Sequence, residues 1–184
     1  MPPSANPPSP SPHGKLVHPS QVQAVAAALP SPRVFTNGVF DLLHRGHCAL
    51  LEEARALGGS LIVGVNSDAS TRRLGKGTER PINREADRAF VLASLQAVDV
   101  VVIFDEQTPC ELLALLRPEI YVKGGDYDMT TLAETRLVEG WGGLALALPF
   151  IEGHSTTGIL ERLAATSTPA RLGRTSDARP GVAA

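Results

Sequence analysis

The chain has 184 residues and a formal net charge of −2, with 43% apolar but only 4% aromatic residues. That length is about one domain, with enough Leu, Val, Ile and Ala for a real core, and the charge balance argues against a nucleic-acid binder, which would carry a basic face. No apolar run reaches the ~18 residues of a membrane span, the N-terminus lacks a basic region followed by an apolar one, and Cys48 and Cys110 match no zinc spacing, reading instead as buried free thiols in a reducing cytosol.

Residues 1–19 are rich in Pro and Ser, and composition predicts a disordered extension. Ser20 caps a predicted helix from Gln21 to Leu29, which Pro30 and Pro32 end. Strands and helices then alternate. Val34 to Thr36 reads as a first strand and Gly46 to Leu57 as a helix. Leu61 to Val65 is the second strand, ended by Asn66-Ser67-Asp68 and followed by a polar stretch from Thr71 to Pro81. A helix is expected over Arg84 to Leu95 with Ala86, Phe90, Val91 and Leu95 inward. Asp99 to Phe104 is the third strand, Pro109 to Leu116 a helix, Ile120 to Val122 the fourth strand, Leu132 to Glu139 a helix and Leu144 to Leu148 the fifth strand. Ser155 to Leu163 is the last helix, and residues from about 165 read as a flexible tail, leaving 20–164 as the folded domain. Continuous apolar strands alternating with helices imply a parallel sheet buried on both faces: an α/β, Rossmann-like, doubly wound fold of about five strands.

The chemistry-bearing residues fall at the carboxyl ends of these strands, where open α/β sheets bind ligands. The first strand breaks at Asn37-Gly38, a dipeptide that tolerates left-handed backbone. His44-Arg45-Gly46-His47 follows at a helix start, where unpaired N–H groups and two imidazoles suit a polyanion, most naturally a nucleotide phosphate chain. Gly46 would let backbone approach the phosphate. Metal chelation by the pair lacks a third ligand, so no metal site is expected. A dinucleotide dehydrogenase would need three glycines in this turn, where one stands between the histidines, and the P-loop pattern is absent. Lys76, between Gly75 and Gly77, can close over a reacting phosphate on a mobile loop. Arg84 and Arg88, one turn apart, form either a charged solvent face or a phosphate clamp. Lys123-Gly124-Gly125-Asp126 is either a tight turn or a flat seat for a base, with Asp126 accepting from ribose hydroxyls. Ser155-Thr156-Thr157 caps a helix and can hold a phosphate.

Several segments carry a resemblance: Phe35 to His47, Val65 to Ser70, Arg80 to Asn83, Val122 to Tyr127 and Ser155 to Leu160. They resemble the cytidylyltransferase-like nucleotidyltransferases, marked by His-x-Gly-His after the first strand, and most closely the adenylyltransferase domain of bacterial heptose enzymes. Val39 stands where that family usually has cysteine, and Glu134 to Gly140 departs from its pattern.

The resemblance implies a stand-alone adenylyltransferase, without the sugar kinase often fused to it, that joins AMP from ATP to a heptose 1-phosphate. ADP-heptose for lipopolysaccharide and pyrophosphate would be the products. A phosphate oxygen attacks the α-phosphorus in line, with no protein nucleophile. His44, His47 and Lys76 would be catalytic. Thr36, Asn37, Gly38, Val39, Phe40, Lys123, Gly124, Gly125, Asp126, Ser155, Thr156 and Thr157 would hold the nucleotide, and Asp41, Asn66, Asp68, Arg84 and Arg88 the substrate side. Mg²⁺ would ride on the ATP phosphates. The implied enzyme is cytoplasmic and a homodimer or higher homo-oligomer, with no nucleic-acid or membrane partner. A cytidylyltransferase for glycerol 3-phosphate or a related alcohol phosphate, and a nucleotide-binding regulator without turnover, are the competing readings.

Overall fold

The computed structural model describes residues 11–75, 80–125, 127–149, 151 and 153–166. Among these residues six strands form one sheet: β1 (Leu16–Val17), β2 (Arg33–Gly38), β3 (Ser60–Asn66), β4 (Val100–Phe104), β5 (Ile120–Gly124) and β6 (Leu144–Leu148). Their spatial order is β1-β4-β3-β2-β5-β6, and every pairing is parallel. Among the described residues eight helices connect and flank them: α1 (Pro12–Lys15), α2 (Pro19–Ala27), α3 (Arg45–Ala56), α4 (Asp68–Arg73), α5 (Glu85–Ala93), α6 (Cys110–Leu116), α7 (Ala133–Glu139) and α8 (Thr156–Thr166), with one 3₁₀ turn at Met129–Thr131.

The two sheet faces carry two apolar clusters. One gathers Val34, Leu51, Leu61, Val63 and Val122 under α3 and α5. The other gathers Phe35, Ile62, Val102, Leu113 and Tyr121 under α2, α6 and α7. Alternate residues of β2 and β3 therefore point to opposite cores, and β3 is buried along its whole length. This is why its sequence is a continuous apolar run. The sheet order reverses between β2 and β5: β3 and β4 lie on one side of β2, β5 and β6 on the other.

The structure corrects four expectations. The sheet has six strands, because Leu16–Val17 at the end of the Pro/Ser-rich extension pairs with β4. Residues 12–17 are thus helix and strand, and Lys15 Nζ donates to Leu95 O at 3.0 Å; residues 1–10 lie outside the described ones. The stretch expected to be polar loop begins with α4, which Ser67 caps by accepting from Ser70 N–H. On α5 the inward stripe is Arg88, Ala89, Leu92 and Ala93, while Phe90 and Val91 are exposed. A 3.6-residue period forces that choice once Arg88 points inward, and His13 of α1 lies against the Phe90 ring, centroids 5.3 Å apart. Cys48 and Cys110 are free thiols but half-buried rather than buried.

Candidate functional site

The carboxyl ends of β2, β3 and β5, with the segment after β6, open onto one crevice of about 1050 Å³. Asn37, Gly38, Val39, Phe40, Asp41, His44, His47, Asn66, Lys123, Gly124, Ser155, Thr156 and Thr157 all line it, so most of the expected site residues converge. The sequence scatters them over more than a hundred positions. The parallel topology brings them together, because every strand ends at the same edge.

The α3 start is the most structured part. His44 is the N-cap residue, in extended backbone (φ −142°, ψ 170°). Its Nδ1 accepts a long bond of 3.4 Å from His47 N–H, which assigns the proton to Nε2 and leaves that N–H as a donor. The two imidazoles stack, and Phe40 packs edge-on to His47 with centroids 5.1 Å apart. Burial, and secondarily the nearby His154, hold the His44 pKa below the usual histidine value.

The glycines act differently from the expectation. The left-handed residue of the turn is Phe40 (φ 50°), not Gly38. A Cβ on Gly38 would stand 3.2 Å from the Phe40 ring, so Gly38 makes room for that ring. Gly46 is buried, and a Cβ there would lie 3.1 Å from His44 ring atoms and 3.2 Å from His154 Cβ. Its missing side chain admits two histidines from different elements.

Beside this site lies a charged brace. The Arg88 guanidinium is fully buried; Nη1 donates to Val39 O, Nε to Asn83 O at 3.0 Å and Nη2 to Asp68 Oδ1 at 2.8 Å. Asp68 Oδ1 also accepts from Glu85 N–H, and Glu85 Oε2 from Asp68 N–H. Asp41 is 3% exposed; its Oδ1 accepts from the N–H groups of Ile82 and Asn83, and its Oδ2 from Arg80. Asp41, Asp68 and Arg88 therefore fasten the β2–α3 loop to the 80–83 segment and α5, and of the three Asp41 also lines the crevice. Arg84 is exposed at the α5 N-cap and does not line the crevice, so the clamp with Arg88 does not form.

Two other expected nucleotide residues lie off the crevice. Thr36 is fully buried within β2, and Gly125 is a buried turn residue whose N–H donates to Leu148 O. Lys76 and Asp126 lie outside the described residues. Asn66 lines the crevice and donates to Ser70 Oγ at 3.0 Å. Asn37 Oδ1 is gripped by Tyr121 OH at 3.1 Å and Lys123 Nζ at 3.3 Å. Burial, with the Glu134 carboxylate adding to it, pushes the Tyr121 pKa far above the usual range, so its hydroxyl stays a donor. Lys123 Nζ also lies 5.5 Å from the Tyr127 ring centroid. Ser155 Oγ accepts from Gly158 N–H at 3.0 Å, capping α8 as expected.

Sequence reading gave no site role to Arg80, Tyr127, Glu134 or Arg162, which also line the crevice. Arg162 carried a signal, since it lies seven residues beyond Ser155 and so shares a helix face with it. Among the described residues no three His, Cys, Asp or Glu side chains cluster as metal ligands.

Comparison with known proteins gives a family and named relatives. The cytidylyltransferase-like family model matches residues 35–162. The D-beta-D-heptose 1-phosphate adenylyltransferase of Bordetella bronchiseptica is 58% identical over 143 residues, 77% of this chain and 88% of that protein. The bifunctional protein HldE of Syntrophotalea carbinolica is 54% identical over 130 residues, 71% of this chain but 26% of that protein, so the chain spans about a quarter of such bifunctional relatives. Among solved structures, the lipopolysaccharide core biosynthesis protein of Thermoplasma volcanium superposes with a TM-score of 0.53 at 30% identity, covering 65% of this chain and 95% of that one. The pantoate-beta-alanine ligase of Francisella tularensis matches at TM-score 0.53 and 16% identity, a likeness of fold alone, over 73% of this chain and 66% of that one.

Proposed function

This chain belongs to the cytidylyltransferase-like family, and we propose that it is a nucleotidyltransferase that joins AMP from ATP to a D-glycero-D-manno-heptose 1-phosphate, releasing pyrophosphate and an ADP-heptose for lipopolysaccharide synthesis. The observation that carries this reading is the 58% identity, over most of both chains, to a protein named for that activity. The site chemistry is compatible with it. A phosphate oxygen of the sugar attacks the α-phosphorus in line and the pyrophosphate oxygen leaves, so the protein positions two polyanions and offsets charge without supplying a nucleophile.

In this reading His44 and His47 donate to the triphosphate as negative charge moves toward the leaving pyrophosphate. Their place at the α3 start adds the N-terminal dipole to the same end of the crevice. Ser155, Thr156 and Thr157, at the α8 start, hold the phosphate chain from the other wall. Lys123 and Gly124 take the nucleoside end. Lys76 closes on the reacting phosphates, and Asp126 belongs to the nucleoside end. Mg²⁺ enters as part of the Mg·ATP substrate. The enzyme acts in the cytoplasm, which suits its two free thiols. Self-association is supported by the open edge of β6, where Leu144 is 52% exposed, and by α8, none of whose residues is buried.

Pyrophosphate release tests the reading. Purified protein is given Mg·ATP or Mg·CTP with heptose 1-phosphate or glycerol 3-phosphate. Turnover with ATP and the heptose alone is expected; turnover with CTP and glycerol 3-phosphate alone would replace this activity with a cytidylyltransferase, and binding of ATP with no turnover would leave a nucleotide sensor.

A further inference from the structure

Glu134 is the second residue of α7, 7% exposed, and it lines the crevice. Its carboxylate has no hydrogen-bond or ion-pair partner among the described residues, although the other buried carboxylate of this wall-and-loop system, Asp41, accepts three bonds. The residue is largely withdrawn from water, yet its oxygens stay open to the crevice. They are placed to accept from the donors of a ligand, and a phosphate chain, which brings none, would be repelled.

Its position selects which ligand. The crevice straddles the reversal of sheet order between β2 and β5. The imidazoles stand at the end of β2, at the junction. Arg80, Asn66 and Thr71 lie on the β3 side, whereas Glu134 lies on the β5 side with Lys123, Gly124 and Tyr127. Tyr127 is 47% exposed there, a ring face on which a base can stack. A nucleotide with its phosphates at the imidazoles and its base at Tyr127 has its ribose between them. The other charged groups sharing the crevice are Asp41, Arg80, Lys123 and Arg162.

We propose that Glu134 is the ribose-recognising residue of the site, its carboxylate accepting from the vicinal 2′- and 3′-hydroxyls of the nucleotide. The assignment rests on the adenylyltransferase reading for the choice of nucleotide. It does not depend on which phosphate acceptor is used.

The test compares binding of Mg·ATP, Mg·2′-deoxyATP and Mg·3′-deoxyATP by calorimetry, without acceptor, to the wild type, Glu134→Gln and Glu134→Ala. The wild type is expected to prefer ATP over each deoxy form by ~10-fold or more, because a site built for a hydroxyl rejects the analogue lacking it. Both variants are expected to lose most of that preference by losing ATP affinity, while their ligand-free Tm stays level, since the carboxylate accepts no bond from the described residues. Equal binding of ATP and the deoxy forms by the wild type overturns the proposal. So does a lower ligand-free Tm in Glu134→Gln, which would make Glu134 structural, and so does a raised KM for the sugar phosphate with the deoxy discrimination intact. Discrimination by a wild type that releases no pyrophosphate from heptose 1-phosphate would keep the Glu134 assignment and remove the heptose activity.

Discussion

The His44 and His47 imidazoles stack with ring centroids 3.8 Å apart and planes 17° from parallel. Two rings that close resist being charged together. Burial and His154 already hold His44 toward its neutral form. A polyphosphate reverses that balance by favouring the protonated rings. Nucleotide binding is therefore expected to take up protons, and Mg·ATP affinity to rise as pH falls from about 8 to about 6. Calorimetry in buffers of different ionisation enthalpy measures the uptake; a binding enthalpy independent of buffer would contradict it. In the ligand-free protein the sign is opposite. His44 folded binds a proton less readily than unfolded, so its contribution is present above the unfolded value of 6.5 and fades as pH falls below it.

Replacing His47 tests the charge-stabilising role directly. His47→Ala removes a donor aimed at developing charge, and kcat is expected to fall by ~10²–10³. His47→Gln keeps bulk beside Phe40 and separates packing from chemistry. Near-normal turnover in both variants, with normal Tm, would sink the role.

Gly46→Ala probes how closely the histidines are packed. An alanine is a better helix former than glycine by about 1 kcal/mol, so the fold should hold. The added Cβ, however, meets His44 ring atoms at 3.1 Å and His154 Cβ at 3.2 Å, and one of them must shift by a few tenths of an ångström. Misplacing a catalytic group by that order is expected to lower kcat by ~10-fold or more, with Tm unchanged or raised. Lowered Tm with full activity in the remaining folded protein would reverse the interpretation.

Much of this was legible before the fold was known, for identifiable reasons. The continuous apolar runs at β3 and β4 could only be strands of a sheet covered on both faces, and the residues after each strand then had to meet at one edge. What local pattern could not show was direction. Arg88 carries a charge that reads as surface, yet its three partners, Val39, Asn83 and Asp68, come from separate parts of the chain. Burial of a charge depends on partners that periodicity does not reveal. Glu134 was invisible for the converse reason: its significance is the lack of a partner. Leu16–Val17 pairs with a strand more than eighty residues away, and two residues are too few to carry a pattern.

The Arg88 brace separates structural from substrate roles. Arg88→Met leaves two carbonyls and the Asp68 carboxylate without a buried donor, at a cost of about 2–4 kcal/mol, somewhat offset because Asp68 is 21% exposed. Tm is expected to fall by roughly 5–15 °C. Arg84→Ala, at an exposed N-cap without a side-chain cap bond, should change neither Tm nor KM. A raised KM for the sugar phosphate in Arg84→Ala would restore the clamp.

The acid limit of stability should contain a contribution from Arg33 and Glu119, which tie the start of β2 to the residue before β5. Glu119 Oε2 accepts from Arg33 N–H at 2.7 Å and from Arg33 Nε at 3.1 Å, and Oε1 accepts from Nη2 at 2.8 Å. These bonds to Arg33 hold the Glu119 pKa at about 2, against a usual 4.5. A depressed carboxylate contributes stability above its unfolded pKa and loses it as pH falls through the folded value. The window here is therefore pH 4.5 down to about 2. Glu119 is 41% exposed, so solvent screening reduces the contribution to ~0.5–1 kcal/mol. At neutral pH, Glu119→Gln is expected to lower Tm by ~1–4 °C relative to wild type. The two Tm curves should converge across that window, as the wild-type carboxylate takes up its proton and comes to resemble the amide. Thermal scans at closely spaced pH values read this out, and a difference that stays constant to the acid end would show that packing, rather than the ion pair, sets the contribution.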